Sequence, residues 1–488
     1  MMEEYNSYWG GIMSKQYDVV VIGGGAGGLF AASVANALGA RTCIVEKTRL
    51  GGDCTWFGCV PSKALLKSAQ VYRYINNLPK YGLKFKNNVD VDANKVMSHV
   101  RGIVDEIATH HPHEVFEKRG IDIIIGPPAF VDKTSIKVNH EILTGKKYIL
   151  CTGSRPDIPP IEGLGEIDYL TNENIFELEA LPKSMIVLGG GPVGLELSQA
   201  MNRLGVDVTI VKRSKGVLPR DDVDVVKVLE ESLKKEGVKI LTGKKTVKFK
   251  KTEKGVVVTL ESSDGSKQEI EAERVLVATG RVPNLEGLAL ENAEVKYDQA
   301  GLEVNDYLQT TNPNIFACGD IASRYKFSHV AAYQASVSVR NALFKRVAWS
   351  KVDYSNVAWA TFTDPEIAHL GQTEEEVVRS GKKYKVYTNE YTGSDRSVTD
   401  IEKQGFVKII TDNKGILLGA HIAGANAGEV IQGFLIAKSL KIPVTKLTRV
   451  MYIYPTLSEL VKKTAAKPLL EKMDNPLIKL LLKILRKK

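Results

Sequence analysis

Apolar residues along the chain gather into short runs that end in glycine-rich turns. Tyr17-Asp18-Val19-Val20-Val21-Ile22 predicts a strand, Gly23-Gly24-Gly25-Ala26-Gly27-Gly28 a turn, and the alanine-rich stretch beyond it a helix. Thr42-Cys43-Ile44-Val45 predicts the next strand, closed by Glu46. The arrangement recurs: Met185-Ile186-Val187-Leu188 leads into Gly189-Gly190-Gly191-Pro192-Val193-Gly194, then a helix and the strand Asp207-Val208-Thr209-Ile210-Val211. Gly23, Gly25 and Gly28, and again Gly189, Gly191 and Gly194, allow a tight turn and a close backbone approach to a pyrophosphate, which the following helix N-terminus attracts. Two such units imply two nucleotides and an α/β fold with two Rossmann-like dinucleotide-binding domains. Glu46 stands where an acid accepts a hydrogen bond from an adenosine ribose. At the same offset the second unit has Lys212, followed by Arg213-Ser214-Lys215. An acid there would repel a 2′-phosphate and a basic cluster attracts it, which favours NADPH, with NADH as the alternative.

Directly after the first unit comes Gly51-Gly52-Asp53-Cys54-Thr55-Trp56-Phe57-Gly58-Cys59-Val60-Pro61-Ser62-Lys63, and Pro61 predicts the start of a helix. On a regular helix residues i and i+5 have Cα atoms roughly 8–9 Å apart. A disulfide spans only ~4.4–6.8 Å, so a Cys54–Cys59 bond requires a distorted segment, with Gly58 as the permissive point. A strained disulfide at a helix N-terminus is readily reduced, because the dipole stabilises thiolate. That makes a redox disulfide the favoured reading. A zinc half-site would need further Cys or His ligands nearby, and none is evident; two inert thiols are the remaining alternative.

Taken together, these motifs resemble the class I pyridine nucleotide-disulfide oxidoreductases, the family of dihydrolipoyl dehydrogenase, glutathione reductase and mercuric reductase. The resemblance runs from about Lys15 to about Lys467 and extends to further motifs. Leu150-Cys151-Thr152-Gly153 and Val277-Ala278-Thr279-Gly280 resemble the turns that close the two nucleotide domains. Asn314-Ile315-Phe316-Ala317-Cys318-Gly319-Asp320 resembles the second FAD motif, whose Asp contacts the ribityl chain, and Thr361-Phe362-Thr363-Asp364-Pro365-Glu366-Ile367-Ala368 the entry to a dimer-interface domain.

What the resemblance implies is specific. Residues 1–14 would be an N-terminal extension, 15–161 and 285–349 an FAD-binding domain, and 162–284 an NAD(P)-binding domain. Residues 350–470 would form an α+β dimerisation domain, and 471–488 a basic amphipathic helix. FAD would lie on Gly23, Gly25, Gly28, Glu46, Gly52, Thr152, Gly153, Gly319 and Asp320; the nicotinamide nucleotide on Gly189, Gly191, Gly194, Lys212, Arg213 and Gly280. Cys54 would face the acceptor and Cys59 the flavin as a thiolate, with Lys63 near the flavin and paired to Glu196. Gly194, where NADP-binding relatives often carry Ala, points weakly toward NADH. In a homodimer, Tyr454 and Glu459 would complete the partner's active site. Dihydrolipoyl dehydrogenase and glutathione reductase have His where this chain has Tyr454, and a phenol near pKa 10 is a poor proton shuttle beside imidazole. Tyrosine there is similar to mercuric reductase, although no cysteine follows Cys318 to deliver a metal. The implied enzyme passes electrons from NADPH through FAD and Cys54–Cys59 to a small acceptor: a metal ion, a small disulfide or a quinone. The alternatives are a dihydrolipoyl dehydrogenase and a non-enzymatic, membrane-associated redox sensor.

Composition narrows the setting. At 488 residues, 43% of them hydrophobic, the chain has material for about three domains. Five cysteines, an odd number, and no secretory signal point to a reducing cytoplasm. Cys43, Cys151 and Cys318 read as buried packing residues. No apolar run approaches the ~20 residues of a membrane span. His110-His111-Pro112-His113 reads as a helix end and not a metal site, because Pro112 breaks the helix. Of the net charge of +9, more than half sits in five basic residues after Asn475. Residues 476–488 thus predict an amphipathic basic helix that contacts an anionic membrane at its inner face, or packs on the dimer. Elsewhere charges are mixed and no aromatic-basic module is present, which excludes nucleic acid as a partner.

Overall fold

The computed structural model describes residues 15–84, 89–110 and 113–486. The expected extension at 1–14, His111, Pro112, Lys487 and Lys488 lie outside the described residues.

The run Val19 to Ile22 is fully buried in the strand Lys15–Ile22. Near-continuous apolar strands of this kind suit a parallel sheet covered on both faces. Lys15–Ile22 pairs in parallel with Thr42–Glu46 on one side and Glu141–Leu150 on the other. Ile121–Ile125 extends the sheet beyond Thr42–Glu46, and Ile315–Ala317 pairs in parallel with the second half of Glu141–Leu150. Their carboxyl ends therefore open together, which is where ligands bind in sheets of this type. The alanine-rich helix Ala26–Ala37 buries Ala31, Ala32 and Ala35 against Ala335, Val339 and Ala342 of the helix Ser328–Leu343.

The second unit repeats the plan with four parallel strands, Lys239–Thr242, Asp207–Lys212, Ser184–Leu188 and Arg274–Val277, in that spatial order. A three-stranded antiparallel sheet, Lys244–Thr252, Gly255–Ser262 and Lys267–Ala272, packs beside it. Beyond residue 357 the chain forms a five-stranded antiparallel sheet, ordered Ala358–Thr361, Glu366–Gly371, Leu417–Gly424, Phe406–Thr411 and Lys385–Glu390. Helices Gln432–Ser439 and Glu459–Met473 cover it. Lys408, 2% exposed on that sheet, is neutralised by Asp222, Asp224 and Glu374, with nitrogen–oxygen distances of 2.7–3.0 Å. A buried ammonium needs such partners, and these tie the third unit to the second.

Glycine is dictated most sharply where each fingerprint helix crosses its strand. A Cβ on Gly28 would lie 1.8 Å from the Gly23 carbonyl oxygen, and one on Gly194 would lie 2.4 Å from that of Gly189. Gly194 is thus fixed by packing in this chain, and its identity says nothing about which nicotinamide binds. Gly28→Ala is expected to cost about 1–3 kcal/mol or more through backbone displacement, read as a lower Tm and loss of flavin on gel filtration.

Two expected boundaries differ. The helix after the cysteines begins at Cys59 and not at Pro61. Pro61 sits at its third position, where the N–H has no intrahelical partner in any case. The C-terminal helix is Pro476–Leu485, capped by the Asn475 side chain accepting from Leu477 N–H, while residues 471–473 finish the preceding helix.

Candidate active site

Cys54 lies in the short helix Gly52–Trp56, and Cys59 opens the helix Cys59–Asn76. Between them Phe57 and Gly58 break the helix. Gly58 is needed for close approach: a Cβ there would meet the Asp53 carbonyl oxygen at 3.1 Å and Cys54 Cα at 3.2 Å. Asn172 donates to Asp53 Oδ1 (3.3 Å) and to the Phe57 carbonyl (3.0 Å), and Arg281 reaches Asp53 Oδ1 at 3.1 Å, so the bend is held from outside. Both sulfurs are free thiols that line one cavity with Ser328, and each shifts the other's titration.

Interaction with Cys59 is the main reason that the Cys54 thiol is pulled down to about 6, and the same interaction raises Cys59. The Lys63 ammonium and the Ser328 hydroxyl oppose that order by lowering Cys59. Because Cys54 is lowered, its thiolate is present above about pH 6 and lost below it. Iodoacetamide should therefore label Cys54 of the dithiol enzyme faster as pH rises through that value, read by peptide mass spectrometry.

Lys63 stands one helical turn after Cys59, on the same face. Its Nζ is 2.7 Å from Glu196 Oε2 and 4.4 Å from the centre of the Phe362 ring. Glu196, only 4% exposed in the helix Pro192–Arg203, also accepts from the Phe362 N–H at 2.9 Å. The carboxylate is thus fixed before it meets the ammonium.

A cavity of about 1960 Å³ runs past these groups, from Gly25 and Gly153 of the first unit to Gly189, Gly191 and Gly280 of the second. Gly25 and Gly191 precede helices whose first turns carry no side-chain cap, leaving N–H groups for an anion. Gly319 and Asp320 line the same cavity; burial raises the Asp320 carboxyl, which accepts from Ser154 Oγ at 2.5 Å. Gln334 accepts from the Gly319 N–H at 2.7 Å and orients that turn. These donors and acceptors fit FAD on the first unit. Gly23, Gly28, Gly52 and Glu46 shape the turn from beneath: Glu46 accepts from the N–H groups of Gly24 (2.7 Å) and Thr48 (2.9 Å). Thr152, between the cavity-lining Cys151 and Gly153, donates its hydroxyl to the Asn284 carbonyl at 2.7 Å.

At the second unit Lys212 Nζ is buried with no hydrogen-bond partner among the described residues, and burial holds it below its ordinary pKa. Arg213 lines the cavity beside it, as do Lys244 and Lys245, which the sequence reading had not singled out. Thr242 is in register with Lys212, so the turn after Thr242 comes up beside the Lys212 turn. That signal is in the strand pairing and not in the motif.

Tyr454 and Glu459 do not reach the cysteines of their own chain. Tyr454, 64% exposed, donates its hydroxyl to Asp395 Oδ2 at 2.8 Å, which raises the phenol further above neutrality. Met451 and Ile453 beside it are 95% and 78% exposed. Glu459 opens the helix Glu459–Met473, and its Oε2 has no hydrogen-bond partner among the described residues. No cluster of three metal-ligating side chains occurs among the described residues.

This architecture has clear relatives. The family model for pyridine nucleotide-disulphide oxidoreductase matches residues 17–335, and that for the family's dimerisation domain matches 357–465. A mercuric reductase of Staphylococcus aureus is 34% identical over 451 residues, covering 92% of this chain and 82% of the relative. A dihydrolipoyl dehydrogenase of Bacillus subtilis is 32% identical, covering 93% and 98%. Among solved structures, the HOCl-induced flavoprotein disulfide reductase RclA from Escherichia coli superposes with a TM-score of 0.83 at 25% identity, covering 92% of this chain and 100% of that one. The chain belongs to the pyridine nucleotide-disulphide oxidoreductase family, as an FAD-dependent NAD(P)H disulfide oxidoreductase whose dimerisation domain makes it a homodimer.

Proposed function

We propose that this enzyme takes electrons from NADPH and passes them through Cys54–Cys59 to a soft metal ion, as a mercuric-reductase-like oxidoreductase. The observation that carries the choice of donor is the buried, unpartnered Lys212 ammonium beside Arg213, Lys244 and Lys245, a cluster suited to a 2′-phosphate. FAD, when bound, supplies the two-electron relay between nicotinamide and disulfide. Lys63, held by Glu196, places positive charge where reduction adds negative charge. Ser328 supports whichever sulfur is the thiolate. Reduction opens the disulfide to two thiols; the metal ion binds them, takes two electrons, and the disulfide re-forms as two protons leave.

Tyr454 in place of an imidazole base argues against dithiol or glutathione substrates, and the mercuric reductase relative and a similar solved structure described as a Cu(II) complex of RclA support the metal class. Retained Glu459 and the dihydrolipoyl dehydrogenase relatives favour the second reading, lipoamide. The test is NADPH consumption with mercuric ion, cupric ion, lipoamide and glutathione disulfide. Tyr454→Phe is expected to lower metal-ion turnover by about tenfold, the worth of one hydrogen bond, with flavin reduction by NADPH unchanged. Fast lipoamide turnover, indifferent to Tyr454→Phe, would overturn the metal assignment.

Among the described residues no helix is long and apolar enough to cross a membrane. The helix Pro476–Leu485 has no buried residue, and Leu477 and Ile484 are 76% and 71% exposed. With its basic residues, this supports peripheral contact with an anionic membrane. The full chain should sediment with phosphatidylglycerol vesicles and a chain truncated after Asp474 should not; equal sedimentation would refute the contact.

A further inference from the structure

Cys151 and Cys318 stand 167 residues apart in sequence and in contact in the fold. Cys151 follows the strand Glu141–Leu150, and Cys318 follows its parallel neighbour Ile315–Ala317, with Ala317 in register with Leu150. The pairing continues one residue further, since the Cys318 N–H donates to the Leu150 carbonyl at 3.0 Å. The two sulfurs are 3.2 Å apart. Adjacent strands lie about 4.7–4.9 Å apart, inside the ~4.4–6.8 Å that a disulfide spans.

Their location gives this pair a consequence. Both thiols are free and buried, at 7% and 1% exposure, yet both line the cavity wall. Cys151 leads into Gly153, and Cys318 leads into Gly319 and Asp320, so each sulfur sits at the root of one turn that holds FAD. Cys318 Sγ also underlies the first fingerprint helix, where a Cβ on Gly27 would lie 3.1 Å from it. Neither thiol is used in electron transfer to the acceptor.

We propose that Cys151 and Cys318 are a second redox couple, closed by a small peroxide-type oxidant into a disulfide that clamps the two FAD-holding turns together. One sulfur attacks hydrogen peroxide, forming an S–O bond as the O–O bond breaks and the first water leaves. The second sulfur then displaces the sulfenic oxygen as the second water. Two thiols lose two electrons and two protons, and the peroxide is reduced. Burial raises the Cys151 thiol, so the reaction is slow beside that of Cys54 and calls for sustained oxidant. A cross-link closing so long a segment restricts the unfolded chain strongly and keeps Gly153 beside Gly319 when the cavity loosens.

The holoenzyme, isolated with Cys54–Cys59 closed, is exposed to excess hydrogen peroxide, denatured in alkylating reagent and digested without reduction. Before exposure Cys43, Cys151 and Cys318 take the label. After exposure only Cys43 should, with the Cys151 and Cys318 peptides joined, and FAD should leave severalfold more slowly in urea by flavin fluorescence. A dithiol reductant should restore label at Cys151 and Cys318, alongside Cys54 and Cys59, and the original rate of FAD release, and Cys318→Ala should abolish both changes. The proposal is overturned if both cysteines still take the label, if they carry separate sulfur acids, or if the joined form releases FAD at the original rate.

Discussion

Cys59→Ser is expected to abolish acceptor reduction, by at least about 10³-fold in kcat, because a residue acting as one member of a unit takes most of the unit's effect with it. Its spectrum should show no long-wavelength thiolate-to-flavin band at any stage of reduction. Cys54→Ser should be equally inactive and spectrally opposite. Removing Cys54 removes the largest influence that raises Cys59, together with its charge, and leaves Lys63 and Ser328, which lower it, against burial, which raises it. Cys59 then becomes a thiolate in the resting enzyme, and a band should be present without any reductant. NADPH should still bleach the flavin in both variants. Identical spectra for the two variants would contradict the assigned roles.

Lys212→Glu should invert the nucleotide preference. The wild-type ammonium has no hydrogen-bond partner among the described residues, so a 2′-phosphate gains a charge-assisted bond without breaking one. Such bonds are worth about 1.5–3 kcal/mol, or roughly 10- to 100-fold in kcat/KM. Glutamate both removes that bond and repels the phosphate while offering an acceptor to the NADH ribose. The kcat/KM ratio of NADPH to NADH should therefore fall through unity. A wild-type enzyme that already prefers NADH would remove the basis for the assignment.

What the sequence made legible is local: glycine turns, the cysteine pair, and the apolar runs that feed them. Those features depend on spacing within a dozen residues. Lys63 and Glu196 were linked through the resemblance, and the fold puts them 2.7 Å apart across 133 positions. What remained hidden depends on register between distant strands. Lys244 and Lys245 come to Lys212 because Thr242 pairs with Lys212, and Cys151 meets Cys318 because Leu150 pairs with Ala317. Ser328 and Arg281 carry no motif, and only the packing of the first two units around one cavity brings Ser328 beside the cysteines and Arg281 to Asp53.

NADPH electrons are expected to reach Cys54–Cys59 through the flavin. Anaerobic addition of one equivalent of NADPH per subunit to the wild-type homodimer, followed by optical spectra and thiol labelling, tests it directly. Each subunit should gain label at Cys54 and Cys59 while the flavin recovers its oxidised absorbance under a long-wavelength band. A flavin that NADPH does not reduce, or one that stays bleached with Cys54 and Cys59 still joined, would contradict it.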